Sequence, residues 1–99
     1  MKYNIHDRVI RDIVSSAERY GVEKVILFGS RARGYHRYNS DIDIAVSGGN
    51  YDDFYWSLNE NAWTLLSFDV VDLDRGISDE LREEIKRDGV VIYENKEAR

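Results

Sequence analysis

Cysteine is absent from this chain, which excludes disulfides and thiolate metal sites and leaves no sign of an oxidising compartment. No apolar run approaches the roughly 20 residues of a membrane-spanning helix, and the N-terminal MKYNIHDRV lacks the apolar region of a signal peptide. A cytoplasmic protein with no membrane partner is the expectation. Basic residues are not in excess either: 14 Lys and Arg against 19 Asp and Glu give a formal net charge of −5. General nucleic-acid binding by counterion release needs a basic face, so none is expected. There is no internal repeat, linker or low-complexity segment, and 99 residues suit one small domain over 1–99 with a single core. No second, substrate-gripping domain is expected.

What the chain does have is concentrated between Gly29 and Asp43, GSRARGYHRYNSDID. Upstream, Lys24 to Phe28 (KVILF) is apolar and rich in β-branched residues, as a buried strand is, and Gly29-Ser30 follows as a turn whose backbone can approach an anion closely. Downstream, Asp41 to Val46 (DIDIAV) reads as a second strand. Its period of two puts Asp41 and Asp43 on one face and Ile42 and Ile44 on the other. Two like charges on one strand face repel unless a cation neutralises them, and oxygen donors without nearby Cys favour Mg²⁺ or Mn²⁺ over Zn²⁺. Arg31, Arg33 and Arg37 fall in a segment, Gly29 to Asn39, that contains no acid. A local positive patch on an acidic protein suits a small polyanion.

Helical spacing of Val9, Ile10, Ile13, Val14, Ala17 and Tyr20 predicts an amphipathic helix over 5–20 that stops near Gly21. After Ser47-Gly48-Gly49-Asn50 breaks the chain, Tyr51 to about Asn59 reads as a second helix. Leu65 to Leu73 reads as a third strand, on which Asp69 and Val71 share a face opposite Phe68, Val70 and Asp72. Ser78 caps a third helix that ends at Gly89, with Leu81 and Ile85 buried, and Val90 to Tyr93 closes the chain as a short strand. This order predicts an α/β (α+β) fold, a short mixed sheet with helices on one face. The carboxylate-bearing strands would be neighbours, bringing Asp69 toward Asp41 and Asp43.

Singly, a Gly-Ser turn or an Asp-x-Asp pair is common in surface loops and edge strands. Jointly, G-S-x3-G-x5-S-D-x-D with a later Asp on a strand assembles parts that need one another. It is neither a Walker A loop, because no Gly-Lys-Ser/Thr follows, nor a dinucleotide fingerprint, because the G-x-G-x-x-G spacing is missing. From Val25 (VILFGSRARG) through SDIDIAV and DVVDL to DGVVIYE, the chain resembles the minimal nucleotidyltransferases, small members of the DNA polymerase beta-like superfamily.

The resemblance implies a nucleotidyltransferase fold in which Gly29 and Ser30 hold the triphosphate of ATP or another NTP. It implies that Asp41 and Asp43 bind two metal ions and that Asp69 is the third catalytic carboxylate, favoured over Asp72, which falls on the opposite strand face. Arg31 is expected at the phosphates and Ser40 at the nucleotide site, where a Ser before Asp also orients its strand by local hydrogen bonds. Arg33 divides between function and a solvated turn. His36 has no second His or Cys to complete a site. The activity implied is transfer of a nucleoside monophosphate, AMP from ATP, to a hydroxyl. So short a chain leaves the acceptor to a partner, and the resemblance implies a HEPN-type toxin carrying the modified tyrosine, with this chain as antitoxin. Partner contacts are expected among Arg33, Tyr35, Arg37 and Tyr38. The rival readings are a non-catalytic module that neutralises a toxin stoichiometrically, and the nucleotide-binding subunit of a two-protein small-molecule transferase.

Overall fold

A computed structural model describes residues 5–34 and 41–95. Among them the chain runs α1 (Asp7–Arg19), β1 (Lys24–Phe28), α2 (Gly29–Arg33), β2 (Ile42–Ser47), α3 (Tyr51–Asn61), β3 (Phe68–Asp72), α4 (Asp79–Asp88) and β4 (Val90–Glu94). The four strands form one mixed sheet in the order β3-β2-β1-β4. β1 is antiparallel to both β2 and β4, whereas β2 and β3 are parallel. The α3 crossover makes that parallel pairing possible.

Strand alternation decides which helix each face receives. Val25 and Leu27 of β1, Ile42, Ile44 and Val46 of β2, and Phe68 and Val70 of β3 turn to one face, where α1 and α3 cover them with Val9, Ile13, Ala17, Phe54 and Leu58. Ser16 and Ser57 join those two helices by a buried hydroxyl–hydroxyl hydrogen bond of 2.9 Å. The opposite face carries Phe28 and Ala45, packed by Ile85 of α4 together with Ile26, Val71 and Leu81. Helices therefore cover both faces, not one as the strand order suggested. The physical reason is visible in KVILF, apolar at consecutive positions as a strand buried on both sides must be.

Three other expectations change. Gly29-Ser30 is not a bare turn but the first residues of α2, a five-residue helix closed by Gly34 in the left-handed conformation. The third strand is shorter than the apolar run Leu65 to Leu73, beginning at Phe68, and Leu65 stands fully exposed at 106%. Leu81 is half-buried, leaving Ile85 as the one fully buried residue of α4. The caps follow sequence: Ser78 Oγ accepts the Leu81 N–H at 3.1 Å, and Asn50 Oδ1 accepts the Asp53 N–H at 3.1 Å.

Candidate active site

One end of the sheet gathers the predicted residues. Because β1 is antiparallel to β2, the last residue of β1 meets the start of β2, and Phe28 pairs with Asp43. Because β2 is parallel to β3, the start of β3 lies there too, and Asp43 pairs with Asp69. Both carboxylates thus belong to the face covered by α4, with Asp41 exposed one residue before β2. Asp69 is exposed, while Asp43 is half-buried. Tyr51 of α3 fixes β3 beside the site, its hydroxyl donating to the Val70 carbonyl at 2.7 Å.

The electrostatics of the cluster are unbalanced. The Asp43 carboxyl is pushed up from 3.8 to about 6, first by burial, then by the charges of Asp69 and Asp41, by a side-chain hydrogen bond with Asp69, and by Glu84. Every one of these neighbours is an acid. A raised carboxyl hydrogen-bonded to a carboxylate is a pair sharing a proton that a cation would displace. Among the described residues no group of three or more His, Cys, Asp or Glu is gathered tightly enough to define a preformed metal centre. The chemistry of the donor set nevertheless fits hard divalent ions: it is all oxygen, concentrated at one sheet end and short of positive charge.

Gly29 borders this pair directly. Its φ is +74°, and a β-carbon there would run into the Asp43 carboxylate. Glycine is required for both reasons, and its backbone lies against the acid at the start of β2. Ser30 is half-buried beside it. Arg31 is 4% exposed, and burial lowers the pKa of its guanidinium. It lines a groove with residues of α1 and of the 62–66 segment. Arg33 is drawn to α4, where its Nη1 lies 3.3 Å from Asp88 Oδ2. Asp72 ends β3 and holds the turn that follows: its Oδ2 pairs with Arg75 Nε at 3.4 Å and its Oδ1 accepts the Asp74 N–H at 3.0 Å. Ser40, and with it Tyr35, His36, Arg37 and Tyr38, lies outside the described residues.

Two acids escaped sequence reasoning. Glu84 acts on Asp43 and Asp88 holds Arg33; they are four apart, hence on one side of α4. The spacing was available in LREEIKRD, but acids on a short helix ordinarily mark a solvated face.

A mixed four-stranded sheet with paired carboxylates beside a short helix that opens on Gly-Ser defines a class, and comparison with known proteins gives its name. The family model described as "Polymerase beta, Nucleotidyltransferase" matches residues 10–98, and the chain belongs to that family. Similar solved structures include a toxin–antitoxin with AMP-PNP, at 27% identity and a TM-score of 0.69 over 88% of this chain and 74% of that chain. A variant of the toxin–antitoxin MntA–HpeT bearing two aspartate-to-glutamate changes is similar at 25% identity and a TM-score of 0.68, over 88% of this chain and 74% of that one. A structure described as a minimal nucleotidyltransferase matches at 28% identity and a TM-score of 0.57, over 82% of this chain and 86% of that one. No curated protein matches. Among the described residues no helix is long and apolar enough to cross a membrane.

Proposed function

We propose that this nucleotidyltransferase domain transfers AMP from ATP to a hydroxyl, a tyrosine of a HEPN-type toxin partner, and so acts as an antitoxin. The observation that carries the reading is the in-register pair Asp43 and Asp69, with Asp41 beside it and Gly29 packed against Asp43. A binding module has no use for a carboxylate cluster that repels itself; a site for a metal-chelated triphosphate does.

In the proposed reaction the acceptor oxygen bonds to the α-phosphorus while the bond to the β-phosphate oxygen breaks, and pyrophosphate leaves. The hydroxyl proton passes to Asp69, which is exposed and available as base. Asp41, Asp43 and Asp69 would hold two divalent ions, Mg²⁺ or Mn²⁺. Bound there, such ions lower the pKa of the hydroxyl and neutralise the leaving pyrophosphate. Gly29 and Ser30 would meet the triphosphate, with Arg31 of the same short helix and Ser40, the residue before Asp41, as further nucleotide-binding residues. The Asp-to-Glu changes in the MntA–HpeT variant fall at two positions separated by one residue, the spacing of Asp41 and Asp43.

The direct test incubates the chain with α-labelled ATP, Mg²⁺ and the purified product of the neighbouring gene. Label and a mass increase of whole AMP units on a partner tyrosine are expected. Label on neither protein, with a stable complex, would make the chain a stoichiometric binder.

A further inference from the structure

β3 is an outer strand of the sheet and pairs with β2 alone. Its peptide groups alternate between the two sides of the strand. The Ser67 carbonyl accepts the Ile42 N–H at 2.9 Å, and the Leu73 N–H donates to the Val46 carbonyl at 2.8 Å, so the odd-numbered residues face β2. Asp69 is among them. The even-numbered residues turn their peptide groups to the open edge, where Val70 presents a carbonyl one residue after Asp69. An edge held from one side alone is prone to open, and the 62–67 segment that leads into it is neither helix nor strand.

Tyr51 closes that edge. From the first residue of α3 its hydroxyl donates to the outward Val70 carbonyl at 2.7 Å, an ordinary length for a well-made O–H···O bond. The ring is itself located before it makes this bond. Tyr55 stacks on it with centroids 6.2 Å apart and planes 16° apart, and the Arg75 guanidinium lies 6.0 Å from its centroid. Burial, then the charge of Asp72, raises the phenol pKa, so the hydroxyl remains a donor at neutral pH. Asp69 thus stands between two fixed carbonyls, that of Ser67 bound to β2 and that of Val70 bound to α3. Tyr51 packs on the α1 and α3 face of the sheet, so it reaches the strand without entering the α4 face where the carboxylates lie.

We infer that Tyr51 is a positioning residue for Asp69: its bond to Val70 holds the β3 edge in the register that sets Asp69 opposite Asp43. The inference rests on the reading that Asp69 takes the acceptor proton. A base works only within hydrogen-bond reach of that proton, so a small displacement of the strand lowers the rate. Gly29 and Ser30 sit on α2, beside β1 and β2, and do not depend on the outer edge of β3.

The test compares wild type, Tyr51→Phe and Tyr55→Phe in AMP transfer to the purified product of the neighbouring gene, with ATP affinity of each chain alone measured by calorimetry. Tyr51→Phe removes the bond and keeps the ring. Its maximal rate is expected to fall about tenfold, with ATP affinity within about twofold of wild type. Tyr55→Phe removes a hydroxyl of the same helix that has no bond to β3 among the described residues, and it is expected to keep the wild-type rate. In an Asp69→Asn background, followed over long incubations, Tyr51→Phe should cost nothing further. Amide exchange adds a readout that needs no activity. Asp69 and Val71 should exchange faster in Tyr51→Phe, while Leu27 and Ala45, in the β1–β2 pair, stay at the wild-type rate. A wild-type transfer rate in Tyr51→Phe would overturn the inference. So would the same fold-loss with and without the Asp69 carboxylate, a loss carried by ATP affinity alone, or faster exchange across the whole sheet. No transfer by the wild-type chain would instead overturn the reading on which the inference rests, and the inference with it.

Discussion

Asp43 and Asp69 stand opposite one another in the parallel register of β2 and β3, and their side chains share a hydrogen bond. Two carboxylates placed so cannot both ionise without cost, and the first proton retained belongs to the half-buried member.

A pH dependence follows. The Asp43 carboxyl rises from 3.8 to about 6 on folding, so the folded chain binds this proton more tightly than the unfolded chain does. Its contribution to stability is fully present below the ordinary carboxylate value and is lost as pH climbs through about 6. In chelator-treated protein, the melting temperature of wild type should therefore fall relative to Asp43→Asn across this window. Parallel pH profiles for the two proteins would show that the carboxyl is not strained by its neighbours.

Asp69 and Asp72 should separate in function despite lying on the same strand. Asp69→Asn is expected to cut transfer by at least the ~10²-fold of a lost general base. Asp72→Asn weakens the contacts with Arg75 and the Asp74 N–H and lies off the carboxylate pair, so transfer should persist while stability drops by about 1 kcal/mol or less. The reverse ranking in steady-state rates would place the working carboxylate on the α3 face.

Gly29 and Ser30 should fail differently. Gly29→Ala meets a positive φ and the Asp43 carboxylate at once, and is expected to cost more than about 1 kcal/mol of stability as well as nucleotide affinity. Ser30→Ala leaves the backbone bond from Gly34 to the Ser30 carbonyl intact, so ATP affinity should fall at an unchanged melting temperature. Denaturation and ATP titration on both variants distinguish fold from site; unchanged ATP affinity in Ser30→Ala removes its hydroxyl from the phosphates.

Arg33 should behave as a helix tie. It joins α2 to the last residue of α4, where Asp88 is also bound by Arg87 at 3.0 Å, and these arginines hold the Asp88 carboxyl below the usual range. A double-mutant cycle on Arg33 and Asp88 should give a small favourable coupling in stability, as expected for a solvent-screened pair. Zero coupling, with a loss of ATP affinity in Arg33→Ala, would return this arginine to the phosphates.

How far these parts were legible depended on how local their cause was. The alternation in DIDIAV and FDVVD sorted Asp41, Asp43 and Asp69 from their apolar neighbours because side-chain direction has a period of two within a strand. Neighbouring strands were enough to bring Asp69 toward Asp41 and Asp43, but pairing register is non-local, so the residue-for-residue match of Asp43 with Asp69 came only with the fold. α2 was missed because GSRAR spans too little of a 3.6-residue period to show a face. The third strand was drawn too long because Leu65 and Leu66 are apolar for a reason other than strand burial. Glu84 and Asp88 were invisible as site neighbours, since nothing in α4 marks which strand ends lie beneath it.

The most direct measurement is intact-protein mass spectrometry of the neighbouring gene product after incubation with ATP, Mg²⁺ and either wild-type chain or Asp43→Asn. The account predicts whole AMP additions on a partner tyrosine with wild type and none with Asp43→Asn, although both bind the partner equally. Equal modification by the two forms, or none by either, would contradict the claim that the Asp43–Asp69 pair is the centre of nucleotide transfer.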